Sequence, residues 1–217
     1  MSQFVWQLLW QLPLVVIWVM LIWAAYLYWK SYKEEEHFQP TYRAHVVAVI
    51  GALIVRSLIL IYWQRSIWQE NALGRRLLTE PLSDPNPFYQ LSPAIFGREG
   101  GYFVAFALSR FLLAVVVSLA VSFVFYVILK VLEKKNSRFF MPGETRLGFL
   151  CALISGWPGF VFFLPAVFVS VVVVSSVRMM LGHQFTTLGY PMLLASAIAL
   201  GASSVLQNYL GLWVLKL

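Results

Sequence analysis

Residues 147–177 read LGFLCALISGWPGFVFFLPAVFVSVVVVSSV, a continuous apolar run. A helix needs only about 20 apolar residues to cross a hydrocarbon layer of about 30 Å, so this run is long for one crossing. Inside it stands Gly156-Trp157-Pro158-Gly159. Proline removes a backbone donor, and glycine admits backbone angles that other residues resist. The run therefore reads as a short helix, 145–156, followed by a second one, 159–178. Undivided, 145–178 is a single span.

Working outward, four more apolar segments appear. Upstream lie 102–132, which includes Arg110, and 45–63, HVVAVIGALIVRSLILIYW, with Arg56 near its middle. The first span is 4–29, rich in Trp and Tyr that suit interfacial belts. The last is 188–206. The expected fold class is all-α: a polytopic helical membrane protein of about six transmembrane helices, or five if 145–178 is one span. Strict alternation is absent, which argues against a β-barrel. Composition agrees, with 60% hydrophobic and 12% charged residues, against about 25% charged in soluble domains.

The first span lacks a basic start and runs too long for a cleaved signal, so it reads as an anchor. The whole of 1–217 reads as one integral membrane domain. Its only long polar stretch is 64–101. The first half, QRSIWQENALGRRLLTE, suits a short interfacial helix; the second, PLSDPNPFYQLSPAIFG, is a proline-punctuated loop. The net charge of +7 records topology and contact with anionic lipid. Of the 16 Lys and Arg residues, Arg56 and Arg110 lie within spans. The rest divide unevenly between the two faces. Lys30, Lys33, Arg43, Lys130, Lys134, Lys135, Arg138, Arg146 and Arg178 share the face predicted to be cytoplasmic. Arg65, Arg75, Arg76, Arg98 and Lys216 share the other. This bias places both termini and the 64–101 loop outside the cytoplasm.

One glutamate, Glu144, stands at the mouth of the opening run, in NSRFFMPGETRLGFL, residues 136–150. Around it the order of elements is specific. A span ends in a basic turn of Lys134, Lys135 and Arg138. Met141-Pro142-Gly143-Glu144-Thr145-Arg146-Leu147 follows, then a short helix, the turn Gly156-Trp157-Pro158, a returning span, and a final helix opened by Leu188-Gly189-Tyr190-Pro191. This order resembles the carboxyl-terminal half of the type IV prepilin peptidases, bilobed membrane aspartyl proteases with a Gly-x-Gly-Asp motif. The resembling region is 114–206. The resemblance implies a helical scaffold with a catalytic carboxylate at Glu144, set in pilus, secretion or conjugation machinery.

The departures bear on chemistry. In that family two aspartates share a proton, one acting as base and the other as acid. Here the motif aspartate falls on Glu144 and its first glycine on Met141. The chain's only aspartate, Asp84, lies in the loop assigned to the opposite face, and Glu133 belongs to a charged turn. A glutamate also places its carboxyl roughly 1 Å further out, a shift that costs up to about 10²-fold in rate. The scaffold is expected to persist without its catalytic pair.

Other residues carry a sharp and a plain reading. Glu144 is a surviving catalytic or ion-binding carboxylate, or a first-turn acid complementing the helix dipole, with Arg146 nearby. Arg146 binds lipid phosphate or a partner carboxylate, or anchors the positive face. Arg56 and Arg110 are costly at their depth, at least about 2.5–3.5 kcal/mol for an arginine at a span centre, and no acidic residue shares that depth in the sequence. Backbone carbonyls, lipid phosphates, a partner protein's acids or a substrate ion are the candidate contacts. His183 in LGHQF reads as a loop residue. Cys151 reads as a packing residue. Ser155 lacks Gly-x-Ser-x-Gly spacing. Gly182, Gly189 and Gly201 suit close helix approach. His37 and His45 are too far apart to signal a metal, and neither metal nor cofactor is expected.

The expected function is a non-catalytic inner-membrane subunit of a bacterial envelope assembly. Its partners would be other membrane subunits and anionic lipid, with no direct nucleic-acid contact. The alternatives are a divergent membrane protease or lipid-processing enzyme using Glu144, and a small transporter with a path lined by Arg56 and Arg110.

Overall fold

The computed structural model describes residues 3–33, 41–83, 86–135, 140–182 and 187–209. Every regular element among them is helical. In chain order they are α1 (Gln3–Lys33), α2 (Arg43–Glu70), α3 (Ala72–Thr79), α4 (Pro87–Leu91), α5 (Pro93–Phe96) and α6 (Gly101–Ala107). A π-turn, Leu108–Leu112, then leads into α7 (Leu113–Lys135), followed by α8 (Glu144–Ser155), α9 (Phe160–Met180) and α10 (Gly189–Tyr209). His37, Asp84, Ser137, Arg138, His183 and Lys216 lie outside the described residues.

All six expected spans contain helix, but not all have the length of a crossing. Four stretches are long and apolar enough among the described residues: Gln11–Lys33, Arg43–Glu70, Gly101–Lys135 and Phe160–Met180. They indicate a membrane-embedded protein. The helix α8 rises only about 18 Å at 1.5 Å per residue, little over half the hydrocarbon thickness. The helix α10 is 21 residues long, and Gly189–Ala202 is its apolar stretch among the described residues.

The Gly-Trp-Pro-Gly interruption does divide the long apolar run. Gly156 has φ 58, an angle that favours glycine, and the Trp157–Pro158 peptide is cis. The Trp157 N–H donates to Ser118 Oγ at 2.7 Å, so the freed backbone finds a partner on α7. A second boundary differs from expectation. The helix α2 runs on past residue 63 to Glu70, because no breaker stands before Asn71. Asn71 then caps α3 by accepting the Leu73 N–H at 3.2 Å. The stretch expected as a proline-punctuated loop also holds two short helices, α4 and α5, each with a proline at its start, where the fixed φ of proline suits a first helical turn.

The chain divides into two compact units. One comprises Met1–Pro13 and Leu53–Ala114. Its small core is Leu82, Phe96 and Ala105, with Phe88, Tyr89 and Leu108 packed against it. The Trp68 ring lies against Phe103 and Phe106, with centroids 5.3 and 5.0 Å away. The other unit comprises Leu14–Ala52 and the chain from Val115 onward. Its centre is α8, in which every residue but Arg146 and Phe149 is buried. A helix apolar on all sides needs cover on all sides. Here α7 supplies Phe125 and Leu129, and α10 supplies Met192, all of which crowd Gly148. By contrast, α9 leaves Phe168, Val169, Val172 and Val173 exposed, as befits a helix against lipid.

Candidate functional site

The site is built on a four-residue turn. Met141-Pro142-Gly143-Glu144 has Pro at the second position, and Gly143 at the third with φ 93 and ψ −8. That is a type II turn, which requires a positive φ where the glycine stands. The Glu144 N–H closes it on the Met141 carbonyl at 3.1 Å. The same turn folds the Glu144 side chain back, so that Oε2 accepts the Met141 N–H at 3.1 Å. Turn and side chain thus hold each other.

The carboxylate is fully buried. Its Oε1 accepts the Gly189 N–H at 2.9 Å and the hydroxyl of Tyr28. Tyr28 Oη also lies 2.8 Å from Thr187 Oγ1. A phenol has one proton, which goes to the stronger acceptor, so the Thr187 hydroxyl donates to Tyr28. One carboxyl group therefore joins the last turns of α1, the start of α8 and the start of α10. Each helix start presents unsatisfied N–H groups and the positive end of a dipole, an environment that favours an anion. Glu144 lies outside the four candidate spans. Burial pushes its carboxyl above the ordinary range, against the opposing effect of the Tyr28 hydroxyl and the backbone donors.

A wall of rings continues from this centre. Tyr190 packs edge-on against Tyr28 at 4.9 Å and Tyr32 at 5.8 Å. The Arg178 guanidinium donates to Tyr32 Oη at 2.6 Å and lies 5.2 Å from the centre of that ring. Tyr42 is also buried, and its hydroxyl has no hydrogen-bond partner among the described residues; nor does Nδ1 of His45, whose ring meets Trp23 and Tyr42 edge-on.

The sequence-derived candidates fall in different places. Glu144 is central, but Arg146 is exposed, and the carboxylate takes its bonds from Tyr28, Met141 and Gly189 instead. The helical periodicity explains this: residues two apart point to different sides of a helix. Glu133 is half-buried near the end of α7 and is not among the groups bonded to Glu144. Arg56 is half-buried on α2, and Arg110 is exposed within the π-turn. Neither residue is without an interaction partner, and both belong to the unit Leu53–Ala114. Cys151 is fully buried, as a packing residue should be. Gly189 has two tasks: its N–H binds the carboxylate, and a Cβ there would overlap the Tyr28 ring. No group of three or more His, Cys, Asp or Glu able to hold a metal occurs among the described residues.

Tyr28, Thr187 and Tyr42 carried no functional reading in the sequence. A tyrosine near the end of an apolar span reads as a belt residue, and nothing local marks it as a donor to an acid far along the chain. No protein-family model matches this chain, and neither does any curated protein or solved structure.

Proposed function

We propose that this protein is a non-catalytic, multi-pass subunit of a bacterial inner-membrane assembly, of the pilus, secretion or conjugation type, with about six crossings. The observation that supports the non-catalytic reading is the environment of Glu144. It is fully buried, and Tyr28, Met141 and Gly189 of its own chain occupy it. A paired-acid protease works because two carboxylates share a proton. The groups bonded to Glu144 are a phenol and two amides, none of which can take that role at neutral pH. The carboxylate acts as a fastening between helices. The setting in an envelope machine rests on the prepilin-peptidase-like order of elements in 114–206. Other membrane subunits and anionic lipid are the partners this reading implies.

A divergent protease using Glu144 is the second reading. It is favoured by the chain of hydrogen bonds from Thr187 through Tyr28 to the carboxylate, which has the geometry of a proton relay. Purification in mild detergent separates the two. The subunit reading expects a fixed set of other membrane proteins at constant stoichiometry. It further expects Glu144→Gln to retain that set in proportion to the folded protein present. Loss of biological activity at unchanged folded abundance and unchanged partners would instead identify a working carboxylate.

A further inference from the structure

Between α2 and α6 the chain folds into an open pocket of about 480 Å³, lined by Glu80, Pro81, Leu82, Ser83, Asn86 and Tyr102. Sites for small molecules span about 300–1,000 Å³, so this volume suits a compact ligand. The walls are held by backbone bonds, leaving most of the polar side-chain chemistry unspent. The Tyr102 N–H donates to the Glu80 carbonyl at 3.2 Å, and the Leu82 N–H to the Phe96 carbonyl at 2.9 Å. Leu82 is buried against Phe96 and Ala105 and anchors this strap to the core. Asn86 spends its side-chain oxygen on the Phe88 N–H at 3.0 Å, which leaves its amide NH₂ available. The Glu80 side chain, half-buried, forms no bond with any described residue.

We propose that this pocket binds an organic cation, an alkylammonium or guanidinium group, with the Glu80 carboxylate as counter-charge and the Tyr102 ring as a cation–π wall. An anion would be repelled by Glu80, and a neutral apolar group would strip water from a carboxylate without replacing it. A cation meets the carboxylate directly and gains from the face of an aromatic ring. Ser83 adds a hydroxyl acceptor. The pocket lies in the connector joining two helices long enough to cross a membrane, so the cation can come from solution or from a lipid headgroup such as ethanolamine.

The full-length protein in detergent should bind ethanolamine and agmatine saturably, by calorimetry or ligand-observed NMR, and should not bind acetate. Glu80→Gln should weaken binding roughly tenfold or more, since bonds to a charged group are the strong ones. Tyr102→Leu should weaken it about two- to fivefold, the size of an exposed cation–π contact. Ser83→Asp should tighten it, an outcome that misfolding cannot produce. The Glu80→Gln variant should elute and melt as wild type does, because the fold uses the Glu80 backbone and not its carboxylate. In lipid nanodiscs, loss of ethanolamine binding with phosphatidylethanolamine but not with phosphatidylglycerol assigns the headgroup as the source; equal binding in both assigns the soluble amine. No saturable binding of either amine, or a Glu80→Gln variant that binds as wild type does, overturns the proposal.

Discussion

Glu144 is a charge at zero exposure, and its tolerance depends on its three donors. Tyr28→Phe removes the phenolic donor and keeps the ring that packs on Tyr190. It should lower stability by about 1–3 kcal/mol, the cost of leaving a buried polar group short of a bond, as read by a thermal melt in detergent. Glu144→Gln should cost a similar amount, because its amide NH₂ must face one of three donors. The two changes break one network, so the double variant should cost clearly less than the two singles together. Additive losses would mean that the two groups do not share a bond.

The direction of the carboxyl's shift also fixes a sign. Burial raises the folded-state pKa of Glu144, so the folded protein holds this proton more tightly than the unfolded chain. Its contribution favours folding at low pH and is lost as pH rises through the folded-state value. Between pH 7 and pH 5, wild type should therefore gain stability relative to Glu144→Gln. An unchanged difference between the two melting curves across that range would contradict the assignment.

The helix α8 is the element on which the second unit is built, and glycines set how closely its neighbours approach. At Gly189 a Cβ would overlap the Tyr28 ring, so Gly189→Ala must push the phenol off the carboxylate. Overpacking of this kind costs typically about 1–3 kcal/mol, and the lost hydrogen bond adds to it. Gly51, within α2, is the control, since a Cβ there meets nothing within 4 Å. Gly51→Ala should be neutral or stabilising by up to about 1 kcal/mol, because alanine is the better helix former. Equal melting points for the two variants would refute the close contact between α10 and α1.

For the molecule in its membrane, the charge bias predicts opposite faces for the α3–α5 connector and the far end of α7. Gln90 and Lys135 are both exposed, and the native Cys151 is fully buried, so it contributes little background labelling. In intact cells an impermeant thiol reagent should label Gln90→Cys and spare Lys135→Cys until the membrane is opened. Reversed labelling would invert the topology.

How much was legible in the sequence follows from the range of the physics involved. Apolar runs and helix breakers act locally, over one turn or one span. They were enough to place six helical segments, the division at Gly156–Gly159 and the buried role of Cys151. They also singled out Glu144, because an acid beside a long apolar run stands out in one dimension. They misplaced the end of α2, where a polar surface does not break a helix until Asn71 caps the next one. The sequence offered Arg146 as the neighbour of Glu144, since proximity along the chain is all that a sequence shows. Only the tertiary structure brought Tyr28 and Gly189 to the carboxylate. Those residues are separated from Glu144 by 116 and 45 positions, and hydrogen bonds between helices leave no periodic trace. The membrane class was therefore decided by composition and local pattern. The burial and bonding of Glu144 were settled by long-range packing alone.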